Sequence, residues 1–363
     1  MAKTHILIGI LLTVVFLTAC DSEKQTYKIG AILPLSGANV AYGNEIKNGI
    51  DLAVSELNIA GGVQDRSLEV VYEDDATDPK NGVSATHKLI EQDNVPVILG
   101  PWASGVALAV APIAEQNKVI LLAEAIAPAI SNAGDYIFRI QPSALDYTDK
   151  AADFLANKGF KTAGIIFINN DFGVGLKEAF GKSFVAQGKS IVATEAYDTG
   201  TQDFRTQLTK IKQKNPEVVF IAGYQETVSV VKQMHELDMN STVLAGPPFQ
   251  SKAIIETLGP LAEGVVYPYH LIANTSQARS YENNYFKAYG VQSGGFAPLM
   301  YAGVQLLAKI LEKCGENTSC IKDELYLTNY EGVSGKITFD QNGDPQIPIV
   351  MKTVKNGKFV QVE

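Results

Sequence analysis

The 363-residue chain has few of the residues that metal and redox chemistry use, with three cysteines and four histidines. Cys314 and Cys320 have the wrong spacing for a zinc knuckle, and beyond the leader only His87, His235 and His270 remain to help them. No metal site and no cofactor are expected. Positive charge is also short: 30 Lys and Arg stand against 39 Asp and Glu, for a formal charge of −9. A nucleic-acid partner would want a basic face, so none is expected. After the first twenty residues no stretch approaches 18 consecutive apolar residues, which leaves nothing else to span a bilayer. Tryptophan occurs once, as Trp102 in ILGPWASG, on a turn between an apolar run and a helical pattern. It either fills the core or walls a pocket.

The beginning of the chain points to a compartment. MAKTHILIGILLTVVFLTAC has a basic start at Lys3, an apolar run from Ile6 to Leu17, and small residues before Cys20. That run suits the core of a signal peptide rather than a membrane span. LTAC resembles a bacterial lipobox, which implies cleavage after residue 19 and a lipid on Cys20, anchoring the protein without crossing the membrane. Asp21 resembles a signal for retention at the inner membrane. Removing residues 1–19 takes away Lys3, so the charge moves from −9 to −10. Residues 20–27 then read as a polar tether. In an oxidising compartment Cys314 and Cys320, separated by GENTS, are expected to form a disulfide closing a small loop.

The body alternates apolar runs with helical patterns. KIGAILPL (28–35) precedes a stretch with Ile46, Ile50, Ala53, Val54 and Leu57 on one face. LEVVYEDD (68–75), VPVILGP (95–101) and VILLAE (119–124) follow, and the alternation resumes with TAGIIFIN (162–169), SIVATEAY (190–197), VVFIAGY (218–224) and VLAGPP (243–248). Near-continuous apolar strands between helices predict parallel sheets covered on both faces, an α/β fold. About 344 mature residues exceed one hydrophobic core, so two domains are expected. The alternation pauses at residues 138–146 and 267–274, the candidate crossings. In such sheets ligands gather beyond the carboxyl ends of strands, and Ser36, Trp102, Glu124, Asn170 and Tyr224 all fall there.

KIGAILPLSGANVAYGNEIKNGIDLAVSELNIAGGV, YEDDATDPKNGVSATHKLI, VILGPWASG, NNDFGVG and VSGKITFDQNGD occur in the order found in leucine/isoleucine/valine-binding proteins. From about Lys28 to Val362 the chain resembles this family, the type I periplasmic solute-binding proteins of branched-chain amino acid ABC transporters. The resemblance implies two Rossmann-like lobes with parallel sheets, joined by a three-strand hinge and closing over a ligand. It implies an N-terminal lobe of residues 28–142 plus 271–332 and a C-terminal lobe of 143–270 plus 333–363. Ser104 matches the residue whose hydroxyl meets the ligand carboxylate. Its place at a helix start suits an anion, although a plain N-cap would look the same. Trp102 and its neighbour Ala103 match the pocket wall. Tyr42, Phe172, Tyr224 and Phe296 fall where the family sets aromatic rings around the bound side chain.

Two positions depart from the family. Its Thr after the fourth strand is Ile126 here, and its ammonium-binding acid after a Gly-Pro pair is Pro248. A desolvated ammonium without an acid is costly, so the usual amino-acid clamp is incomplete. Glu124, two residues before Ile126, can replace it as a partner for a cation, or as a proton donor if burial raises its pKa. Its alternative is an ordinary solvated glutamate at a strand end.

Other signals carry less. DFGVGLKEAFG has Glu178 where a dinucleotide fingerprint needs its third Gly. DQNGD (340–344) lacks the distal glutamate of a calcium loop and reads as a hairpin turn. His87 and His235 fall inside helical patterns as surface residues, whereas His270 sits near a crossing, at a possible cleft edge. No nucleophile–base constellation is present, so no enzyme is expected. The expected function is capture of an amino acid, branched-chain, aliphatic or aromatic, or of a related small organic acid or amide. A monomer at the periplasmic face of the inner membrane would deliver it to an ABC permease. A sensory receptor of the same fold, signalling without transport, is the competing reading.

Overall fold

The computed structural model describes residues 26–362. The leader, Cys20 and the tether up to residue 25 lie outside the described residues.

The first sheet is built from strand–helix units. Strand β1 (Tyr27–Leu33) leads into helix α1 (Val40–Ile59), then β2 (Leu68–Asp74), α2 (Pro79–Glu91), β3 (Val97–Leu99), α3 (Ser104–Gln116), β4 (Ile120–Ala123) and β5 (Ile137–Arg139). The order is β2-β1-β3-β4-β5, all parallel. The central strands β3 and β4 are buried along their whole length, which is why they read as unbroken apolar runs. α1 turns Ile46, Ile50 and Ala53 inward and leaves Val54 and Leu57 half-buried. α2 starts on Asp78, whose carboxylate accepts from Lys80 N, with Pro79 at the first helical position.

The second sheet follows the first crossing. Helix α4 (Ala144–Asn157) is capped by a reciprocal Ser143–Asp146 box. Next come β6 (Thr162–Ile168), α5 (Asp171–Ala186), β7 (Ser190–Tyr197), α6 (Arg205–Lys212), β8 (Val218–Ala222), α7 (Thr227–Glu236), β9 (Thr242–Ala245), α8 (Lys252–Leu258) and β10 (Val266–His270). The chain returns to the first lobe as α9 (Ser276–Tyr289), α10 (Ala297–Cys314), α11 (Thr318–Tyr326) and the hairpin of β11 (Tyr330–Gly332) and β12 (Gly335–Ile337). It then crosses back as β13 (Ile349–Lys355) and β14 (Lys358–Val362). The second sheet runs β14-β13-β10-β9-β8-β6-β7, parallel except that β13 and β14 form an antiparallel edge.

This is the two-lobed α/β architecture that the resemblance implies. Three segments cross between the lobes, at 140–143, 271–275 and 338–348. YPYH, which the apolar pattern assigned to a crossing, instead forms the last four residues of β10. β11 packs against α10, and β12 pairs with β11, so the hairpin continues past 332.

DQNGD lies in the third crossing and forms a turn bridged by Phe339 and Pro345, with Asp340 Oδ1 accepting from Asn342 N and Asp344 N. Asp344 accepts from Arg139 Nε at 2.7 Å, and Arg139 N donates to Gly343 O at 2.9 Å. The Arg139 guanidinium is fully buried and also donates to Ala127 O and Ser131 Oγ. This cluster ties the end of β5 to the third crossing; removing either charge would leave the other uncompensated, at a cost of about 3–5 kcal/mol. Cys314 and Cys320 are disulfide-bonded at the far end of α10. His87 and His235 are exposed on α2 and α7.

Candidate functional site

The parallel strands of both sheets point their carboxyl ends at the space between the lobes. The turns that follow β3 and β4 supply Trp102, Glu124 and Ile126, the first turn of α5 supplies Phe172, the turn after β8 supplies Tyr224, and that after β9 supplies Pro247 and Pro248. Phe296, at the start of α10, and Gln141, in the first crossing, complete the wall of one narrow cavity.

Aromatic rings dominate this wall, and they touch. Tyr42 stacks on Trp102 with centroids 4.6 Å apart and planes at 19°. Phe296 meets both rings edge-on, at 5.6 Å from Tyr42 and 6.1 Å from Trp102. Phe172 stacks on Tyr224 at 4.3 Å in the opposite lobe. Offset stacks and edge contacts are the arrangements that ring quadrupoles favour, so each ring braces the next.

Glu124 is the exception to this apolar lining. It follows β4 directly, is 1% exposed, and neither carboxylate oxygen has a hydrogen-bond partner. Burial raises its pKa well above the ordinary range, and the neighbouring Glu45 adds to the effect. It is not a solvated strand-end glutamate: the crossing covers it where an open strand end would leave it wet. Glu45 reaches over from α1 and accepts from Phe296 N at 2.7 Å and Ala297 N at 3.2 Å, satisfying two donors at the start of α10. A Cβ on Gly295 would overlap Tyr269 Oη, so only glycine lets this start pack against β10.

A second polar thread runs from Gln141 Nε2 to Tyr147 Oη at 3.3 Å and from there to His270 Nδ1 at 3.1 Å. Burial pushes His270 down to about 3, with Lys352 adding to the shift, so its ring is neutral at physiological pH. It lies beneath the crossing instead of at the cleft edge.

Of the residues expected at the site, Trp102, Glu124, Ile126, Phe172, Tyr224, Pro248 and Phe296 line the cavity. Tyr42 lies behind Trp102. Ser104 and Ala103 are buried and do not line it. Ala103 holds the cap position of α3 and makes no side-chain cap. Ser104 is the first helical residue, and its Oγ accepts from Ala127 N at 3.2 Å. The plain N-cap reading of Ser104 is therefore corrected, because the turn after Trp102 delays the chain's entry into the helix until Ser104 itself. Ser36 is exposed beside Asp74, and Asn170 caps α5 by accepting from Gly173 N. Sequence reasoning missed Gln141, Pro247 and Glu45. Pro247, next to Pro248, was within reach; Glu45 gave no local signal.

Comparison with known proteins extends over the same residues. The family described as periplasmic binding protein matches residues 26–358. A Leu/Ile/Val-binding protein, BraC3 of Rhizobium johnstonii, is 29% identical over 324 residues, covering 87% of this chain and 88% of its own. The leucine-binding protein LivK of Thermotoga maritima superposes with a TM-score of 0.87 at 27% identity, over 93% of this chain and 98% of its own. LivJ of Streptococcus pneumoniae, a branched-chain amino acid transporter substrate-binding protein solved with isoleucine, gives 0.85 at 27% identity over 93% and 100%. The chain belongs to the periplasmic binding protein family, whose members are extracytoplasmic solute-binding proteins and not enzymes.

Proposed function

We propose that this protein is the solute-binding component of an ABC importer, holding a small organic ligand in the interlobe cavity and presenting the closed form to a membrane permease. The observation that carries this reading is that one cavity takes its walls from both lobes, Trp102, Glu124, Ile126 and Phe296 from one and Phe172, Tyr224, Pro247 and Pro248 from the other. A ligand can touch both sets only when the lobes are shut, so its binding energy favours closure. The ligand class is an aliphatic, branched-chain or aromatic amino acid, or a related small acid or amide. The aromatic walls contact its apolar part, Glu124 and Gln141 its polar groups, and Ser104 holds the wall in place through Ala127. A lipid on Cys20 would keep the monomer near its permease at the periplasmic face of the inner membrane.

Mass spectrometry of the small molecule that co-purifies with the protein, followed by melting curves across amino acids, amines, organic acids and amides, tests this. A ligand returned unchanged that raises Tm supports capture. A ligand recovered as a reaction product, or a full panel without a shift, would overturn it.

A further inference from the structure

We propose that the ligand presents a cationic nitrogen to Glu124 in the interlobe cavity, which makes its class a small organic amine with a compact apolar body. The proposal rests on the capture reading above and replaces its ligand class.

The charge pattern of the cavity argues for this. Glu124 is its one carboxyl, and no lysine, arginine or histidine is among the described residues that line it. Both oxygens of Glu124 lack a partner although the side chain is 1% exposed. Buried polar groups are almost always paired, so an orphaned carboxyl facing a cavity marks the place of a missing donor. An ammonium supplies both donors and counter-charge. Trp102, Tyr224 and Phe172 line the same space, so the apolar body of an amine meets aromatic surface there.

An anionic ligand group finds the opposite. No cationic side chain among the described residues lines the cavity to receive it, and Glu45 is a second carboxyl close enough to act on Glu124. The first turn of α3, the natural seat for a carboxylate, already has an acid against it: Asp171 Oδ2, from the other lobe, stands 2.9 Å from where a Cβ on Gly105 would be. Ile126 and Pro248, which also line the cavity, bring no side-chain donor for an anion. Glu124 thus offers an amine a partner, and the described cavity wall offers a carboxylate no cation.

Isothermal calorimetry on the mature protein with matched sets tests the idea: isoamylamine, leucine and 4-methylpentanoate, then phenethylamine, phenylalanine and 3-phenylpropionate. The amine in one set should bind at least a hundredfold more tightly than its acid, and Glu124→Gln should weaken that amine at least tenfold. Glutamine keeps the shape and removes a buried acid; should it nevertheless misfold, the wild-type ranking decides alone. An acid binding best would mean that Glu124 donates a proton instead, and would overturn the proposal. Amino acids binding while the amines do not would also overturn it, leaving capture intact. Amine binding untouched by Glu124→Gln would remove Glu124 from the contact. Neither set binding, with nothing co-purifying, would sink both readings.

Discussion

Trp102 and Tyr224 belong to different lobes, and their ring centroids lie 5.1 Å apart across the cavity, with planes at 44°. Opening the lobes must separate them. Because the chain has one tryptophan, its emission reports that separation without a label. In the closed form the indole is 5% exposed and should emit at shorter wavelength than in an opened, ligand-free population. A saturating ligand should therefore shift the emission to the blue. Binding seen by calorimetry with an unmoved spectrum would mean that the lobes do not part at this contact.

Ser104→Ala separates support from contact. Its Oγ accepts from Ala127 N, and removing it strands a buried donor at a cost of about 1–3 kcal/mol. The denaturant midpoint should fall accordingly, while ligand affinity changes by no more than a few-fold. Lost affinity at unchanged stability would put the hydroxyl on the ligand.

Glu45 should make stability depend on pH. Burial pushes its carboxyl up to about 7 from 4.5, against the pull of the Phe296 and Ala297 amides, and Glu282 adds to the rise. The folded chain then holds this proton more tightly than the unfolded chain, so its contribution falls as pH rises from 4.5 to 7. Glu45→Gln keeps an acceptor for the amides and removes the titration. Tm of the variant should decline less, or rise more, than wild type across that window. His270, pushed down to about 3, and Asp75, pushed up to about 6, titrate in both proteins and cancel in the comparison. Parallel curves would mean that Glu45 does not hold its proton.

The disulfide should matter for folding and not for binding. It joins residues six apart at the end of α10, so closing this small loop stabilises by about 2 kcal/mol. The 18-residue helix puts it about 27 Å from Phe296. Replacing both cysteines by serine should lower the denaturant midpoint and leave Kd unchanged; a weaker Kd would show that α10 transmits strain to the cavity.

The strands and the strand-end residues were legible because buried parallel strands leave unbroken apolar runs, and whatever follows such a run faces the cleft. Trp102, Glu124, Tyr224 and Pro248 could be found that way. The rule says which residue stands at a strand end, not what covers it: Ser36 is exposed and Glu124 is sealed, from similar local sequence. Glu45 was invisible because its partners lie 251 and 252 residues away on α10. Gln141 was hidden in a crossing, where neither helical nor strand periodicity marks a direction.

The weaving of the chain between lobes governs the order in which the molecule can be made. α1 packs on α10, and β10 needs β13 as its neighbour. Neither lobe can complete its core until the final segments have been synthesised. Pairings between such distant parts of the chain form slowly. A nascent polypeptide of this topology stays unfinished for most of its translation, and an unfinished chain is the form that can be threaded through a narrow export channel before it collapses.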